Sequence, residues 1–378
     1  MIKNIKFVVS SSLLSARLQT IGRVIVPKSS LSILEYILFK IECNTLTLTA
    51  ADNETVLTTT LDLVESEENI EFVVHAKIIQ DAIKEIPEQP VDFYVNPETY
   101  AITIEYLNGQ YNVVAQSAEQ YPLPPNVEEA NTQITIDSQL LYAGINRVMF
   151  ATSNEPLRPQ MTGICFDLKE DSLTLVATDA QKMSCTTYPG LKSEALGSFI
   201  LPKKPAMLLR NFIVKEEGET NIRFAPRNAI FKTESYTMIC RLVEGVYPNY
   251  KGVISQKNDI HVTINRAALM STLRRVLIFS NSASSAVKLN FSNNRLTITS
   301  HEIDFSKSAE ESLLCDYQHT PLSIGFHGAH LQEIVSNIDS EEVVMQLAGP
   351  SRAGLFVPST PSEKEDVVML LMPLMVND

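Results

Sequence analysis

The sequence has no long hydrophobic run, and it contains few cysteines. No apolar stretch approaches the roughly 18–20 residues that a membrane-spanning helix needs. The opening residues, MIKNIKFVVSSSLL, show neither the apolar block nor the small-residue cleavage site of a signal peptide. The five cysteines are scattered, odd in number and never spaced C-x-x-C, which argues against a disulfide framework or a thiolate zinc site. These absences predict a cytoplasmic protein that does not associate with membranes.

Catalytic motifs are equally scarce. Only 13 residues are glycine, and neither G-x-x-x-x-G-K-[ST] nor G-x-G-x-x-G occurs, so a phosphate-cradling loop is not expected. Ser285-Ala-Val-Lys288 matches S-x-x-K, but the partner motifs of the β-lactamase-like enzymes are missing. His327, His330 and Glu333 have a helical spacing that could hold a metal, which leaves a metal-dependent hydrolase open as an alternative. We expect no cofactor, no metal and no catalytic residue.

A threefold internal repeat is the strongest feature that the sequence does contain. In each copy a polar turn leads into a strand of apolar and hydroxyl-bearing residues, at 44–52, 171–179 and 294–302. An amphipathic helix lies about thirty residues further on, at 78–86, 205–213 and 330–338. Three prolines, 126 and 125 residues apart, mark the ends of the copies at positions 122, 248 and 373.

Each copy predicts an α+β domain in which two helices pack on antiparallel sheets. The first helix of each copy is expected at 10–22, 137–150 and 265–279, with Asp137 and Asn265 as N-caps. Short strands occupy most of the remaining length. A repeat of about 125 residues can enclose its own core, unlike a short solenoid repeat. We therefore expect three domains, at residues 1–126, 133–253 and 258–378.

The charge is unevenly distributed along the chain. The net charge is −13, from 31 basic and 44 acidic residues, which by itself argues against binding to nucleic acid. Three windows nevertheless contain no Asp or Glu, and each covers the first helix of a copy: 11–34, 138–154 and 260–301. Acid-free helices are typical of a face that does not repel a polyanion, although they could also be ordinary buried faces. Because no base-reading motif is present, contacts would go to phosphates.

Four sequence motifs of this chain are similar to those of a known protein family. They are VATDAQKM at 176–183, GVYPNY at 245–250, Pro-Lys-Lys at 202–204 and the Met-Pro-Leu that begins at Met372. Together, and over essentially the whole chain, they resemble the bacterial sliding clamps, the β subunits of DNA polymerase III. The resemblance implies a head-to-tail homodimer whose six domains form a ring, with helices lining the bore and sheets outside. It also implies a non-catalytic processivity factor that tethers the replicative polymerase to DNA.

The resemblance also implies partners and sites. The implied partners are double-stranded DNA, a second copy, the catalytic subunit of the replicative polymerase, the clamp loader, and replication and repair proteins with a clamp-binding motif. DNA contacts fall on Lys28, Lys77, Lys84, Arg158, Lys203, Lys204 and Arg210. A cleft between domains two and three, which takes a short apolar-ended partner peptide, matches Met161, Thr178, Ala180, Gln181, Lys182, Met183, Pro248, Val253, His330, Leu370, Met372 and Leu374. The dimer seam matches Tyr111 and Val113 against Ile278 and Phe279.

The chain departs from the family pattern at several of these positions. Residues 180–183 read Ala-Gln-Lys-Met where the family commonly has Gly-His-Arg-Leu, and His330 replaces an aromatic residue, so we expect a shifted peptide preference. Lys28 and Lys77 stand where the family often has arginine, which keeps the charge but loses a bidentate grip on phosphate. Val376–Asp378 extends past the usual end. A peptide-binding adaptor with no nucleic-acid role is the other alternative.

Overall fold

The computed structural model describes residues 3–29, 31–122, 132–192, 196–254, 257–281, 285–302 and 307–375. The C-terminal extension Val376–Asp378 lies outside the described residues. The chain divides into two compact units. The first contains residues 1–142 and 204–242, and the second contains residues 143–203 and 243–378.

Helices and strands occur at similar places in each third of the chain. The helices are α1 (Ser11–Ile21), α2 (Ala76–Lys84), α3 (Ser138–Met149), α4 (Lys203–Ile213), α5 (Arg266–Val276) and α6 (Gly328–Ser336). The strands of the first third are β1 (Ile5–Ser10), β2 (Tyr36–Glu42), β3 (Thr45–Ala51), β4 (Thr55–Asp62), β5 (Glu65–Ser66), β6 (Ile70–His75), β7 (Pro90–Val95), β8 (Ala101–Tyr106) and β9 (Gly109–Val114). Those of the second third are β10 (Thr132–Asp137), β11 (Gly163–Lys169), β12 (Ser172–Thr178), β13 (Lys182–Pro189), β14 (Gly197–Pro202), β15 (Glu219–Phe224), β16 (Asn228–Lys232) and β17 (Tyr236–Arg241). Those of the last third are β18 (Ile260–Asn265), β19 (Ala286–Ser292), β20 (Arg295–Glu302), β21 (Lys307–Leu314), β22 (Leu322–His327), β23 (Glu342–Leu347), β24 (Gly354–Pro358), β25 (Asp366–Leu371) and β26 (Pro373–Leu374). Short 3₁₀ turns lie at Gly22–Val24, Ser32–Glu35, Pro159–Thr162, Tyr250–Gly252 and Leu277–Phe279.

The helix ends follow from local hydrogen bonding. The Asp137 carboxylate accepts the N–H groups of Gln139 and Leu140, each at 3.0 Å, where α3 begins. The Asn265 side chain accepts the N–H of Ala268 at 2.9 Å where α5 begins. Both N-caps predicted from the sequence are therefore confirmed, since each satisfies a backbone donor that has no partner within the helix.

The first unit holds two antiparallel sheets. One has the strand order β5-β1-β7-β8-β9, and the other has the order β10-β15-β16-β17-β4-β3-β2-β6. The larger sheet joins two copies of the repeat, because β4 of the first copy pairs with β17 of the second, with Met238 opposite Leu57. Helices α1 and α2 pack against each other, and α1 also covers β3 and β4.

The second unit has the same arrangement. Its larger sheet has the order β14-β11-β12-β13-β25-β24-β23-β18, and its smaller sheet has the order β21-β20-β19-β22-β26. Strand β13 of the second copy pairs with β25 of the third, with Met183 opposite Leu370. Helices α5 and α6 pack against each other over this unit's core. The α+β class, with two helices per copy packed on antiparallel sheets, is confirmed.

The repeat extends to individual core contacts. Phe39 and Phe72 lie opposite each other on β2 and β6, and their rings stack with centroids 5.3 Å apart. Phe166 and Phe199 occupy the corresponding positions on β11 and β14 and stack at 4.7 Å. Offset stacking of buried rings adds to their burial energy, so these pairs fix the register of equivalent strands in the two copies. In the described ranges no helix combines the length and apolar character needed to cross a bilayer.

The thiols give a first testable prediction. Cys43 is exposed, whereas Cys165, Cys185, Cys240 and Cys315 are buried. Burial raises the pKa of Cys165 and of Cys185 to about 12 and that of Cys315 to about 11, and it also raises the pKa of Cys240. Because the thiolate is the reactive form, one thiol per chain should react rapidly with a disulfide reagent in the native protein, and five after unfolding. Rapid native labelling of two or more thiols would contradict this burial.

Candidate functional site

The residues predicted to form a peptide-binding cleft all lie in the second unit, which contains the joint where β13 pairs with β25. We call this group of residues the cleft. They come from the 3₁₀ turn at Pro159–Thr162, from the turn between β12 and β13 and its flanking strand residues, from the segment around residues 248–253, from α6, and from β25, β26 and the residue between them. Met183 lies opposite Leu370 across the joint, and the N–H of Met372 donates to the carbonyl of Gln181 at 2.8 Å. Strand pairing therefore fixes the chain's last described segment beside the turn.

The cleft has a buried floor. Met183 and Leu370 belong to a cluster of buried side chains that includes Cys165, Tyr250 and Leu355. We call this cluster the cleft floor. The phenol of Tyr250 donates to the Asp167 carboxylate at 2.6 Å, so its polar tip is satisfied while its ring fills the floor. Met183 and Leu370 are therefore core residues as well as cleft residues, and changing them is expected to affect folding.

The walls of the cleft are exposed. Val253 is 51% exposed and Met372 is 44% exposed, although both side chains are apolar. Met161, Pro248 and Leu374 are partly buried. Exposed apolar side chains above an apolar floor gain free energy when a partner removes them from water, at about 25 cal/mol per Å². The geometry therefore suits a short apolar segment, and Met372 adds an adaptable contact.

The turn between β12 and β13 is held by its own side chains. Asp179 accepts the N–H groups of Gln181 and Lys182 at 2.9 and 2.8 Å, and Thr178 accepts the N–H of Ala180 at 3.1 Å. Ala180 has a φ of 75°, in the left-handed region that favours glycine. The turn therefore forms with alanine in this left-handed position, because Thr178 and Asp179 stabilise the conformation.

Lys182 is the charged residue of the cleft. Its ammonium lies 2.7 Å from the Asp179 carboxylate and 3.3 Å from that of Glu333 on α6. Burial opposes ionisation of Asp179, but the hydrogen bonds from Lys182 and Gln181 outweigh it and hold the pKa of Asp179 below its ordinary value. Ionised Asp179 therefore stabilises the folded state above the ordinary aspartate pKa. This contribution is lost as the pH falls through the lowered value.

His327 and His330 lie near Lys182, where α6 begins. Their rings stack with centroids 4.1 Å apart, and Nδ1 of His327 accepts the N–H of His330 where α6 begins. Burial and the nearby Lys182 charge lower the pKa of both rings, so both are neutral at neutral pH. The Glu333 carboxylate pairs with Lys182. Among the described residues, no three His, Cys, Asp or Glu side chains are grouped as metal ligands.

The predicted DNA-contacting residues differ in their surroundings. Lys28, Lys77, Lys84 and Arg158 have exposed side chains, and Arg210 is partly buried on α4. In the second unit, the ammonium of Lys203 donates to the Asn154 side chain at 2.9 Å.

Lys204 is engaged within the first unit. Its ammonium is bound by the Asp52 carboxylate and by the backbone carbonyl of Val24. Asp52 also accepts the N–H groups of Glu54 and Thr55, as Asp179 does in the next copy, so both repeated aspartates cap a turn. The charge of Lys204 is partly neutralised, and we expect its effect on a phosphate to be smaller than that of the exposed lysines.

Several arginines of the acid-free helices are also paired. Arg147 on α3 binds Glu365 at 2.7 Å, and Arg275 on α5 binds both carboxylate oxygens of Glu311. Arg17 on α1 lies over the ring of Tyr236, 4.8 Å from its centroid. Three cations of the acid-free windows are therefore engaged, and their partners come from distant parts of the sequence.

The predicted seam residues lie at open sheet edges. Tyr111 and Val113 are on β9, which ends the smaller sheet of the first unit. Ile278 is 72% exposed in the turn after α5, and this turn packs beside β21, which ends the smaller sheet of the second unit. Phe279 in the same turn is also exposed.

Further apolar residues at these edges were not predicted from the sequence. Val114 on β9, Leu107 in the turn before it, and Leu314 on β21 are large and exposed. Strand β21 was not predicted, because its segment is mostly polar and carries few apolar residues. The pair Leu313-Leu314 could have indicated an exposed apolar side chain at this edge. Alternation in a strand places one of two successive leucines on each face.

Comparison with known proteins agrees with this architecture over the whole chain. Three family models match in order: the N-terminal domain of the DNA polymerase III beta subunit at residues 5–125, its central domain at 135–249 and its C-terminal domain at 251–375. A beta sliding clamp from Pseudomonas putida is 24% identical over 367 residues, covering 96% of this chain and 98% of that one. One from Chlamydia muridarum is 23% identical over 374 residues and covers 99% and 100%.

Solved structures show the same fold. A DNA polymerase sliding clamp from Pseudomonas aeruginosa superposes with a TM-score of 0.92 at 23% identity, covering 98% of this chain and all of that one. A second structure of a sliding clamp from that organism, bound to griselimycin, gives a TM-score of 0.93 and covers 99% of this chain. The DNA polymerase III beta subunit from Thermotoga maritima gives 0.90 at 21% identity. With three domain models matched in sequence order, the chain belongs to the DNA polymerase III beta subunit family of sliding clamps.

Proposed function

We propose that this chain works as a DNA polymerase processivity factor. Two copies close head to tail into a ring around duplex DNA, and partners attach through the cleft beside β13 and β25. The observation that carries the proposal is the pair of open edges. In the described residues β9 and β21 each pair on one side only, and each edge carries exposed apolar side chains. An open edge is a template for another strand, and two different edges on one chain can form a heterologous, ring-closing contact.

The domains and sites of the proposed ring follow the sequence prediction. The three domains are those at 1–126, 133–253 and 258–378, and the seam is formed by Tyr111, Val113, Ile278 and Phe279, extended by Leu107, Val114 and Leu314. The cleft takes an apolar-ended peptide of the polymerase catalytic subunit, the clamp loader, or another replication or repair protein. No chemical step is required of the chain, which acts as a non-catalytic accessory subunit in the cytoplasm.

DNA contact is proposed to be electrostatic and independent of sequence. Replacing Lys77 and Lys84 by Glu should weaken equilibrium binding to linear duplex DNA and flatten its salt dependence, because each phosphate contact contributes about 0.9 to the logarithmic salt slope. We expect the slope to fall by about two, with little change in base preference. The control is Lys364→Glu, an exposed lysine in the loop between β24 and β25, and it is compared with Lys77→Glu and Lys84→Glu singly, because each of these variants makes the same charge change. An equal loss in the control would show that only net charge matters.

Primer extension tests the proposed function. The cognate replicative polymerase and clamp loader would copy a primed single-stranded circle in the presence of excess competitor template, with and without this protein. A processivity factor should lengthen the product made in one binding event, because tethering keeps the polymerase at a high effective concentration. A peptide-binding adaptor without a nucleic-acid role would leave product length unchanged, and so would contradict the proposal.

A further inference from the structure

A cavity lies in the first unit beside the joint where β4 pairs with β17. Its volume is about 360 Å³, within the range of about 300–1,000 Å³ that is usual for ligand sites. Every residue that lines the cavity belongs to the first unit, and among them are Leu31, Leu34, Ala51, Val56, Pro122 and Arg241. We call this cavity the first-unit pocket.

The first-unit pocket lies at the same place in the strand ladder as the cleft. Val56 on β4 is opposite Ile239 on β17. In the second unit, Met183 on β13 is opposite Leu370 on β25. Each of these pairs joins one copy of the repeat to the next. The strand that lines the first-unit pocket therefore has the same kind of neighbour as the strand that forms the cleft floor.

The turn beside each joint is also held in the same way. In the first unit, the N–H of Arg241 donates to the carbonyl of Glu54 at 2.8 Å. In the second unit, the N–H of Met372 donates to the carbonyl of Gln181 at 2.8 Å. Arg241 therefore takes the place in the first-unit pocket that Met372, an exposed wall residue, has in the cleft.

The repeat places further lining residues at equivalent positions. Four residues of the first-unit pocket precede four cleft residues by 126 or 127 positions. They are Leu34, Ala51, Val56 and Pro122, which precede Met161, Thr178, Met183 and Pro248. The first-unit pocket is therefore the counterpart of the cleft at the joint between the first two copies.

The first-unit pocket has a buried floor and an exposed apolar wall. Leu34 and Val56 belong to a buried cluster that also contains Tyr121. The Tyr121 phenol donates to the backbone carbonyl of Thr49 at 3.2 Å, so its polar tip is satisfied while its ring fills the floor. Leu31 lines the same pocket and is 55% exposed. An apolar side chain of a ligand would remove Leu31 from water, which is favourable.

The charges of the first-unit pocket differ from those of the cleft. Asp52 lines the pocket, but its carboxylate is bound by Lys204. Arg241 and Glu54 also line it, and both are exposed. In the strand order, β17 with Arg241 lies between β16 and the turn that carries Glu54. An acidic group of a ligand that lies over β16 is therefore separated from the Glu54 carboxylate by the Arg241 strand.

A second arginine shares the face of the sheet that carries Arg241. Asn228, which lines the pocket, and Ile230 lie two residues apart on β16, so their side chains are on one face. Asn228 pairs with Arg241, and Ile230 pairs with Arg223. Both arginines are exposed. An acidic group over β16 would therefore meet two cations.

We propose that the first-unit pocket is a second peptide-binding site, which takes an apolar side chain of a partner protein together with acidic residues beside it. The inference rests on the proposed function of the cleft, because the repeat indicates a ligand of the same class. The apolar side chain covers Leu31 and the floor, and the acidic residues pair with Arg241 and Arg223. These ion pairs are exposed, so the preference for acidic residues weakens as salt rises.

Photo-crosslinking to the full-length protein tests where such a peptide binds. The background is the double variant Val253→Ala and Met372→Ala, which weakens the cleft. Three peptides carry a leucine pair with two glutamates, two glutamines or two lysines on either side, and a diazirine analogue replaces the first leucine. Mass spectrometry should locate the glutamate-flanked peptide at residues 31–34 or 51–56. A peptide in the cleft would instead crosslink at residues 178–183.

The affinities of the peptides measure the charge preference. The quantity is the ratio of the dissociation constant of the lysine-flanked peptide to that of the glutamate-flanked peptide at low salt, and we expect about fivefold. The net charge of −13 favours the lysine-flanked peptide, so a ratio above one reports a local effect. Arg241→Gln should lower the ratio to below about twofold, whereas Arg241→Lys should keep it. Arg295→Gln, which removes an exposed arginine at the start of β20, is the control and should also keep it.

Leu31→Ala tests the apolar wall. It should raise the dissociation constant of the glutamate-flanked peptide about fivefold, because truncation of a central apolar contact weakens binding several-fold. Leu196→Ala is the matched control, since Leu196 is 64% exposed and lies in the second unit before β14. This control should leave the affinity unchanged, and unchanged melting temperatures would confirm that both variants fold.

The outcomes separate the second site from the cleft. Crosslinks in the first-unit pocket together with the fivefold ratio would support the proposal, even if the cleft of the unaltered protein bound no peptide. The absence of crosslinks there would overturn the proposal and leave the cleft to its own test. An affinity that is unchanged in Leu31→Ala would also overturn the site. A ratio at or below one, or a fivefold ratio that persists in Arg241→Gln, would overturn the charge preference.

Discussion

Replacing Ile278 by Asp is expected to convert the dimer into monomers at low micromolar concentration. Ile278 is exposed in one chain, but in the proposed ring it is covered by the β9 edge of a second copy. An aspartate there would be buried without a partner, at a cost of several kcal/mol per seam. A change of about 3 kcal/mol raises a dissociation constant more than a hundredfold. Sedimentation equilibrium should then give the chain mass of 42.1 kDa in place of twice that value.

Val64→Asp is the matched control for the seam. Val64 is as exposed as Ile278, and it lies next to β5, at the opposite edge of the sheet that ends in β9. The same charge at this position should leave the dimer intact, because no partner covers it in the proposed ring. A dimer that survives Ile278→Asp, or dissociates equally in both variants, would show that the seam is elsewhere.

Removing the exposed wall of the cleft should abolish most partner binding. The double change Val253→Ala and Met372→Ala deletes two apolar side chains that a bound peptide would cover. Central apolar contacts of an interface cost more than about 1 kcal/mol each when truncated, so we expect peptide affinity to fall by tenfold or more. Titration of a labelled peptide measures the effect, and sedimentation should show an unchanged dimer.

Met375→Ala provides the control for this experiment. Met375 is even more exposed than Met372 and lies three residues further along the chain, beyond β26. Its truncation should change peptide affinity by less than about twofold, as is usual for contacts outside an interface centre. Leu370 is unsuitable as a probe, because its side chain is buried in the cleft floor and its truncation would cost roughly 2–5 kcal/mol of stability. Unchanged affinity in the double variant would refute the cleft assignment.

The fold could be predicted largely from the sequence because the three copies carry the same local signals. Turn residues, strand alternation and helix caps act over a few residues, and they are present in each copy. The N-caps at Asp137 and Asn265 are examples, since each is set by contacts within three residues. Asp52 and Asp179 occupy equivalent positions in the first two copies, and their role in capping a turn could be predicted for the same reason.

The electrostatics of the site could not be predicted in this way, because the partners are far apart in the chain. Lys204 meets Asp52 across 152 residues, and Arg147 meets Glu365 across 218. The local sequence shows that these helices contain no acidic residue. It does not show which carboxylates from distant parts of the chain lie beside them in the fold. The same limit applies to Lys182, whose second carboxylate comes from α6.

The sequence also could not predict which apolar residues of the cleft are buried and which are exposed. Leu370 and Met372 are two residues apart and both apolar, yet one lies in the cleft floor and the other is exposed. The difference arises because β25 ends at Leu371, so the two-residue alternation of a strand no longer applies. Strand β21 was not predicted for a different reason. Its sequence is mostly polar, which suits a sheet edge that a second copy covers only in the proposed ring.

Retention on circular DNA is the most direct test of encirclement. The protein would be assembled by its clamp loader on a nicked circular plasmid, separated from free protein by gel filtration, and then treated with an enzyme that cuts the plasmid once. A closed ring should stay on the circle through the column and leave when the DNA is linearised, even at salt too high for phosphate contacts. Equal retention on circular and linear DNA, or no retention on either, would contradict encirclement.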